Sequence, residues 1–172
     1  MLTTKRVTLL RHAKAKVGDS SLPDRKRPLN ERGQHDAPVM GRRLRASGAR
    51  PSLIITSPAI RALHTARLVA EMIRYPLEFV QRETDLYLAS PDDILRVLAR
   101  QDNAFNDILL CGHNPGLTDL ANKLTGAKID NIPTCGLVVI EADIREWRQL
   151  KRGGTLVTFD FPKNPQRAET TD

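Results

Sequence analysis

Short apolar runs, each four or five residues long and each ending in polar side chains, recur along the chain at residues 6–10, 53–56, 107–111, 137–140 and 156–159. Val, Ile and Leu dominate them; the first three read as strands buried in a central sheet and the last two as later strands. A further edge strand is expected over 77–80. The segments between the runs follow helical periods. Asn30 is an N-cap for a helix reaching about Gly48, with a kink expected near Pro38. Ser57-Pro58 supplies an N-cap and a first-turn proline for a helix to about Arg74, with Leu63, Ala66, Ala70 and Ile73 inward. Pro91 opens a helix whose inner face is Ile94, Leu95 and Leu98, and another spans about 117–124. A turn or short helix is expected around Trp147. Residues 13–28 are polar and carry Gly18, Pro23 and Pro28, the composition of a loop.

Strands alternating with helices predict an α/β protein, a three-layer α/β/α sandwich around a mostly parallel sheet. Its 172 residues and 40% hydrophobic content fit one domain over residues 1–162, followed by a polar tail, 163–172, that lacks apolar anchors. No apolar run approaches a membrane span and no signal-peptide pattern precedes the first strand. Cys111 and Cys135 form no Cys-x-x-Cys pair, so buried free thiols and a cytoplasmic location are expected. Four histidines without close spacing argue against a dedicated zinc site.

Charge is unevenly spread. Residues 1–75 hold 16 Lys and Arg against 5 Asp and Glu, a net +11; residues 76–172 hold 11 against 15, a net −4. An anionic substrate or a nucleic acid would suit the first half, as would a merely solvated basic face. Aromatics at 4% offer little for base stacking.

In an open α/β sheet, sites form beyond the C-terminal ends of the strands. The first run ends at Arg11 and His12, the second leads through Ser57-Pro58 to Arg61, and the third ends at Gly112-His113. Arg61 is expected in the first helical turns, off the apolar stripe. Two arginines, two histidines and a helix N-terminus at one rim compose a phosphate site.

Leu10-Arg11-His12-Ala13, Ser57-Pro58-Ala59-Ile60-Arg61-Ala62 and Gly112-His113-Asn114-Pro115 resemble, in order and spacing, the motifs of the histidine phosphatase superfamily, whose fold is phosphoglycerate mutase-like. The small bacterial SixA-type phosphohistidine phosphatases are most similar. Arg27-Pro28-Leu29, Asp85-Leu86-Tyr87 and Pro133-Thr134 resemble segments of that branch, and the likeness spans roughly residues 5–162. It implies that His12 is a nucleophile forming a covalent phosphohistidine and that Arg11, Arg61 and His113 bind the phosphoryl group, with Arg27 a further basic position. His113 is expected to donate a hydrogen bond, best as imidazolium. The resemblance implies no metal and no organic cofactor. Larger members place a carboxylic acid near the leaving group; here the candidates are Asp85, which abuts Leu86-Tyr87, and Glu83. Ala13 stands where the family motif has glycine, which demands a negative φ. His64 stands where glutamine is expected, and neither it nor His35 is given a role.

The implied reaction is hydrolysis of phosphohistidine in a protein, such as a phosphorelay domain. The alternatives are a small-molecule phosphomonoesterase acting on a sugar phosphate or nucleotide and, from a different class, a non-catalytic phosphate- or nucleic-acid-binding module. The expected partner is thus a phosphorylated substrate, with neither nucleic acid nor membrane; the sequence leaves the oligomeric state open.

Overall fold

A computed structural model describes residues 3–18 and 21–167. Six strands form one sheet: β1 (Thr4–Arg11), β2 (Leu53–Thr56), β3 (Gln81–Arg82), β4 (Asp107–Gly112), β5 (Leu137–Asp143) and β6 (Thr155–Asp160), in the order β3-β2-β4-β1-β5-β6. The pairings among β1 to β4 are parallel, whereas β5 and β6 are antiparallel to their neighbours. Four helices cover the sheet: α1 (Glu31–Ala46), α2 (Ile60–Met72), α3 (Pro91–Ala99) and α4 (Gly116–Thr125).

Alternate side chains of each strand feed two separate cores, as the two-residue strand period requires. Leu10, Ile54, Leu109, Cys111 and Val139 pack against α1 and α2. Val7, Leu9, Ile55, Leu110 and Val138 pack against α3 and α4. Cys111 and Cys135 are both free and buried.

Several boundaries differ from the sequence expectations. Asn30 does cap α1, its side chain accepting from the Gly33 N–H, and the helix continues through Pro38 to Ala46. Helix α2 starts at Ile60, not at Pro58. Ser57 is withdrawn from capping because its hydroxyl faces His113, and Ala59 takes the cap position. Arg61, with Ala62, Thr65 and Ala66, lies on the buried face of α2, whereas Leu63 is only half-buried. Residues 77–79 form a 3-10 turn rather than a strand, and the edge strand is the two-residue β3. In α3 the buried residues are Ile94, Val97 and Leu98. In the expected tail, Pro165–Arg167 form a 3-10 turn; residues 168–172 lie outside the described residues.

Because β1, β2 and β4 run parallel, their C-terminal ends meet at one edge of the sheet. There the start of β5 joins them: Cys135, in a left-handed conformation (φ 60°), directs its N–H to the His12 carbonyl at 3.1 Å. Tertiary pairing thus converges four separate stretches of sequence on one rim.

Candidate active site

The rim opens into a cleft of about 500 Å³ whose walls include Arg11, His12, Lys14, Arg27, Arg61, Tyr87, His113 and Thr134. Asp24 is the one carboxylate among its described lining residues. A second cleft of similar volume, between α2 and the segment before α1, carries His64 with Arg67, Leu68 and Glu71. None of its lining side chains holds a buried polar atom lacking a partner, which sets it apart from the first.

His12 follows β1 directly. Its Nδ1 lies 2.8 Å from the Ala13 carbonyl. A carbonyl only accepts, so Nδ1 carries the proton and Nε2 keeps its lone pair. Burial pushes this imidazole down to about 4; the Ala13 carbonyl opposes the shift and the charges of Arg61, Arg11 and Arg27 add to it. The ring is therefore neutral near pH 7, as a nitrogen nucleophile must be. The next residue, Ala13, avoids the left-handed region, so its methyl is accommodated. Its N–H donates to Thr65 Oγ1 at 2.9 Å, and that hydroxyl donates to the Arg61 carbonyl at 2.6 Å. The loop after β1 is thereby tied to the first turns of α2.

His113 stands with its ring centroid 5.2 Å from that of His12. Its Nε2 is 2.7 Å from Ser57 Oγ, which also accepts from the Ala59 N–H at 3.2 Å. With the Ser57 hydroxyl donating to Nε2, the neutral ring presents Nδ1–H as a donor. Burial, His12 and the nearby arginines push His113 down to about 3. The unliganded ring is thus neutral rather than imidazolium, and it can still donate because Ser57 satisfies the other nitrogen.

Among the described residues, three buried polar atoms at this rim have no partner: Arg11 Nε, Arg61 Nε and His113 Nδ1. The remaining contacts of the arginines explain which atoms are left over. Arg11 Nη1 donates to the Ile132 carbonyl at 2.8 Å. Arg61, only 2% exposed, donates through Nη1 to the Asp24 carbonyl (2.8 Å) and through Nη2 to Asp24 Oδ2 (2.9 Å). Unpaired buried donors cost about 1–3 kcal/mol each. Three donors beside a free imidazole nitrogen fit a group with several acceptor oxygens and negative charge, such as a phosphoryl group.

The other sequence candidates divide. Arg27 does line the cleft, its Nε 3.1 Å from Asp24 Oδ1 and its Nη1 donating to the Lys16 carbonyl. Asp85 and Glu83 do not. Arg100 Nη1 holds Asp85 Oδ2 at 2.9 Å and Arg100 Nη2 holds Glu83 Oε2 at 3.4 Å. The 3-10 turn Thr84–Leu86 buries Leu86 and directs the neighbouring Tyr87 inward instead. Sequence reasoning missed Asp24 and gave Tyr87 no role. The Tyr87 hydroxyl donates to Asp24 Oδ2 at 2.5 Å, its ring edge meets His113 (5.6 Å, 87°), and Arg25 covers its face at 4.2 Å. Tyr87, Arg61 and Arg27 hold the Asp24 carboxyl well below the usual carboxylate range, against the opposing effect of burial. One Asp in a polar loop gives no sequence signal of this kind. Among the described residues no cluster of three or more His, Cys, Asp or Glu side chains could hold a metal ion.

A model of the histidine phosphatase superfamily (branch 1) matches residues 7–86, the segment that supplies Arg11, His12 and Arg61. The chain belongs to that superfamily. Relatives of this histidine phosphatase include an uncharacterized protein of Mycobacterium tuberculosis, 30% identical over 165 residues, covering 90% of this chain and all of the relative. An uncharacterized chloroplastic protein of Arabidopsis thaliana is 28% identical over 154 residues, 85% of this chain and 70% of the relative. Among solved structures, the putative phosphohistidine phosphatase SixA from Agrobacterium tumefaciens is similar at 28% identity, with a TM-score of 0.71 over 92% of this chain and 98% of that one. Two others share the fold. The protein histidine phosphatase SixA complexed with tungstate has a TM-score of 0.77 at 19% identity, over 91% and 97% of the two chains. A mycobacterial glucosyl-3-phosphoglycerate phosphatase has a TM-score of 0.67 at 15% identity, over 92% and 100%. The sheet is accordingly the mostly parallel one of phosphoglycerate mutase-like histidine phosphatases. No helix among the described residues is long and apolar enough to cross a membrane.

Proposed function

We propose that this histidine phosphatase hydrolyses phosphohistidine in a protein substrate through a covalent phosphoryl-enzyme on His12. The observation that carries the reading is the free Nε2 of His12 beside the three unpartnered donors Arg11 Nε, Arg61 Nε and His113 Nδ1. The His12 lone pair attacks phosphorus in line while those donors bond the equatorial oxygens, where negative charge must be held. Water then cleaves the new P–N bond and releases inorganic phosphate.

The leaving group favours phosphohistidine over an alkyl ester. An alkoxide needs a proton from an acid, worth about 10²–10⁴-fold. Among the described residues, the carboxyl that lines the cleft, Asp24, is held ionised, while Asp85 and Glu83 face Arg100. A phosphohistidine already protonated on its distal nitrogen needs no such acid. The neutral His12 ring, with its proton on Nδ1, accepts the phosphoryl group, and a neutral imidazole departs. No proton has to move in this step. Among the described residues, the short 3-10 turns Asp24–Lys26 and Thr84–Leu86 lie beside the cleft, and no helix or strand of the fold closes over it, which favours entry of a side chain carried on a protein.

The test is hydrolysis of para-nitrophenyl phosphate and of a phosphohistidine-bearing protein by wild type and His12→Ala. Turnover of the phosphoprotein by wild type, abolished in the variant, is the expected result. Full activity in His12→Ala, or none on any phosphate in wild type, would overturn the reading. Turnover of small phosphates alone would favour a phosphomonoesterase.

A further inference from the structure

Asp24 is a costly residue to find in a phosphate cleft. Its charge opposes a dianion, and it takes up both terminal nitrogens of the arginine whose Nε faces the site. If its only purpose were to orient Arg61, the Asp24 carbonyl and any neutral acceptor would serve. The carboxylate has capacity beyond that task. Oδ2 accepts two bonds, from Arg61 Nη2 and the Tyr87 hydroxyl. Oδ1 accepts one, from Arg27 Nε at 3.1 Å, and each carboxylate oxygen can accept about two. Among the described residues one lone pair is therefore open, on a side chain that lines the cleft and is 44% exposed.

Resting on the phosphohistidine reading above, we propose that Asp24 is the specificity-determining contact for the leaving group, its Oδ1 accepting the distal N–H of the phosphohistidine ring. The contact rewards a leaving group that is cationic and carries an N–H, a pair of features that phosphohistidine has and phosphate esters lack. As the P–N bond breaks, its electron pair goes to the departing nitrogen and the positive charge on that ring is lost. The distal nitrogen keeps its proton and its bond to Asp24. By favouring the protonated ring beforehand, Asp24 raises the fraction of substrate that can react without an acid. Arg61, Arg27 and Tyr87 keep the carboxylate ionised and aimed for that purpose.

The discriminating quantity is the ratio of kcat/KM for a phosphohistidine peptide to kcat/KM for para-nitrophenyl phosphate, in wild type, Asp24→Asn and Asp24→Glu. The proposal expects Asp24→Asn to lower that ratio by about tenfold or more, and Asp24→Glu, which keeps the charge, to restore a large part of it. A structural role through Arg61 would lower both activities alike; an unchanged ratio overturns the proposal. Wild-type activity on the aryl phosphate without activity on the peptide would also overturn it, while leaving hydrolysis through His12 intact. Loss of both activities in wild type would remove the underlying phosphatase reading. Should Asp24→Asn not fold, Asp24→Ser takes its place, since it removes the charge but leaves Arg61 a neutral acceptor; an unchanged ratio there overturns the proposal in the same way.

Discussion

The two ends of the sheet treat buried cations in opposite ways. At the end away from the cleft, Lys5 is 2% exposed and its Nζ donates to the carbonyls of Asn103 (2.7 Å) and Phe105 (3.3 Å) and to Asn106 Oδ1 (2.8 Å). An ammonium has three protons, and all three are used. At the cleft end, Arg61 is equally buried but keeps Nε unpartnered, as does Arg11, with His113 Nδ1 alongside. Burial alone therefore does not mark a site. A buried donor with nothing to donate to does, because the fold bears its cost until a ligand arrives. The far end has an orphan of its own, Asp107 Oδ1, an acceptor on a carboxyl whose affinity for protons burial raises.

The largest effect that would break this contrast is at the nucleophile. His12→Ala is expected to cut phosphatase turnover by about 10³-fold or more with little change in fold, read by steady-state kinetics beside circular dichroism. Arg61→Lys comes next. A lysine keeps the charge but has one nitrogen in place of the planar fork that sets two nitrogens on Asp24 and a third towards the phosphoryl oxygens, so kcat/KM should drop by about 10²-fold. At the other end, Lys5→Ala leaves the acceptors of Asn103, Phe105 and Asn106 unserved. It should cost about 1–3 kcal/mol in urea denaturation, with turnover per folded molecule unchanged. Catalytic loss there without loss of stability would erase the distinction between the two ends.

Acid should sharpen the same contrast. His12 and His113 sit at about 4 and about 3 when folded, against 6.5 for an unperturbed imidazole. Between those values the unfolded chain binds more protons, so stability rises with pH through the window. It is complete above about pH 6.5 and is lost as pH falls toward 4, by up to about 1.4 kcal/mol per pH unit for each ring. His12→Ala should flatten part of that slope in urea titrations at stepped pH. The smallest expected effect is at Asp85. Its carboxyl is an exposed partner of Arg100, so Asp85→Asn should change stability by about 0–1 kcal/mol and leave turnover of para-nitrophenyl phosphate unaltered. A loss of 10²-fold would return Asp85 to the reaction.

The sequence by itself determined the layers and the rim. The runs over 6–10, 53–56 and 107–111 are strands that a doubly covered sheet buries, whereas β6 leaves Leu156 and Val157 exposed; Arg11 closes β1, and His12 and His113 follow their strands, by chain order alone. The Asn30 cap and the helix start at Pro91 were equally legible, since a helix start needs only its own few residues. What the tertiary structure decided is everything that depends on a partner distant in sequence. Ser57 reads as a helix cap until His113, 56 residues on, claims its hydroxyl. Asp85 reads as an acid beside the site until Arg100 turns it outward. Asp24 was one more polar loop residue until Arg61, 37 residues away, and Tyr87, 63 away, closed on it. Local propensity acts over a few residues, whereas a side chain's hydrogen-bond partner is chosen by the packing of the whole sheet.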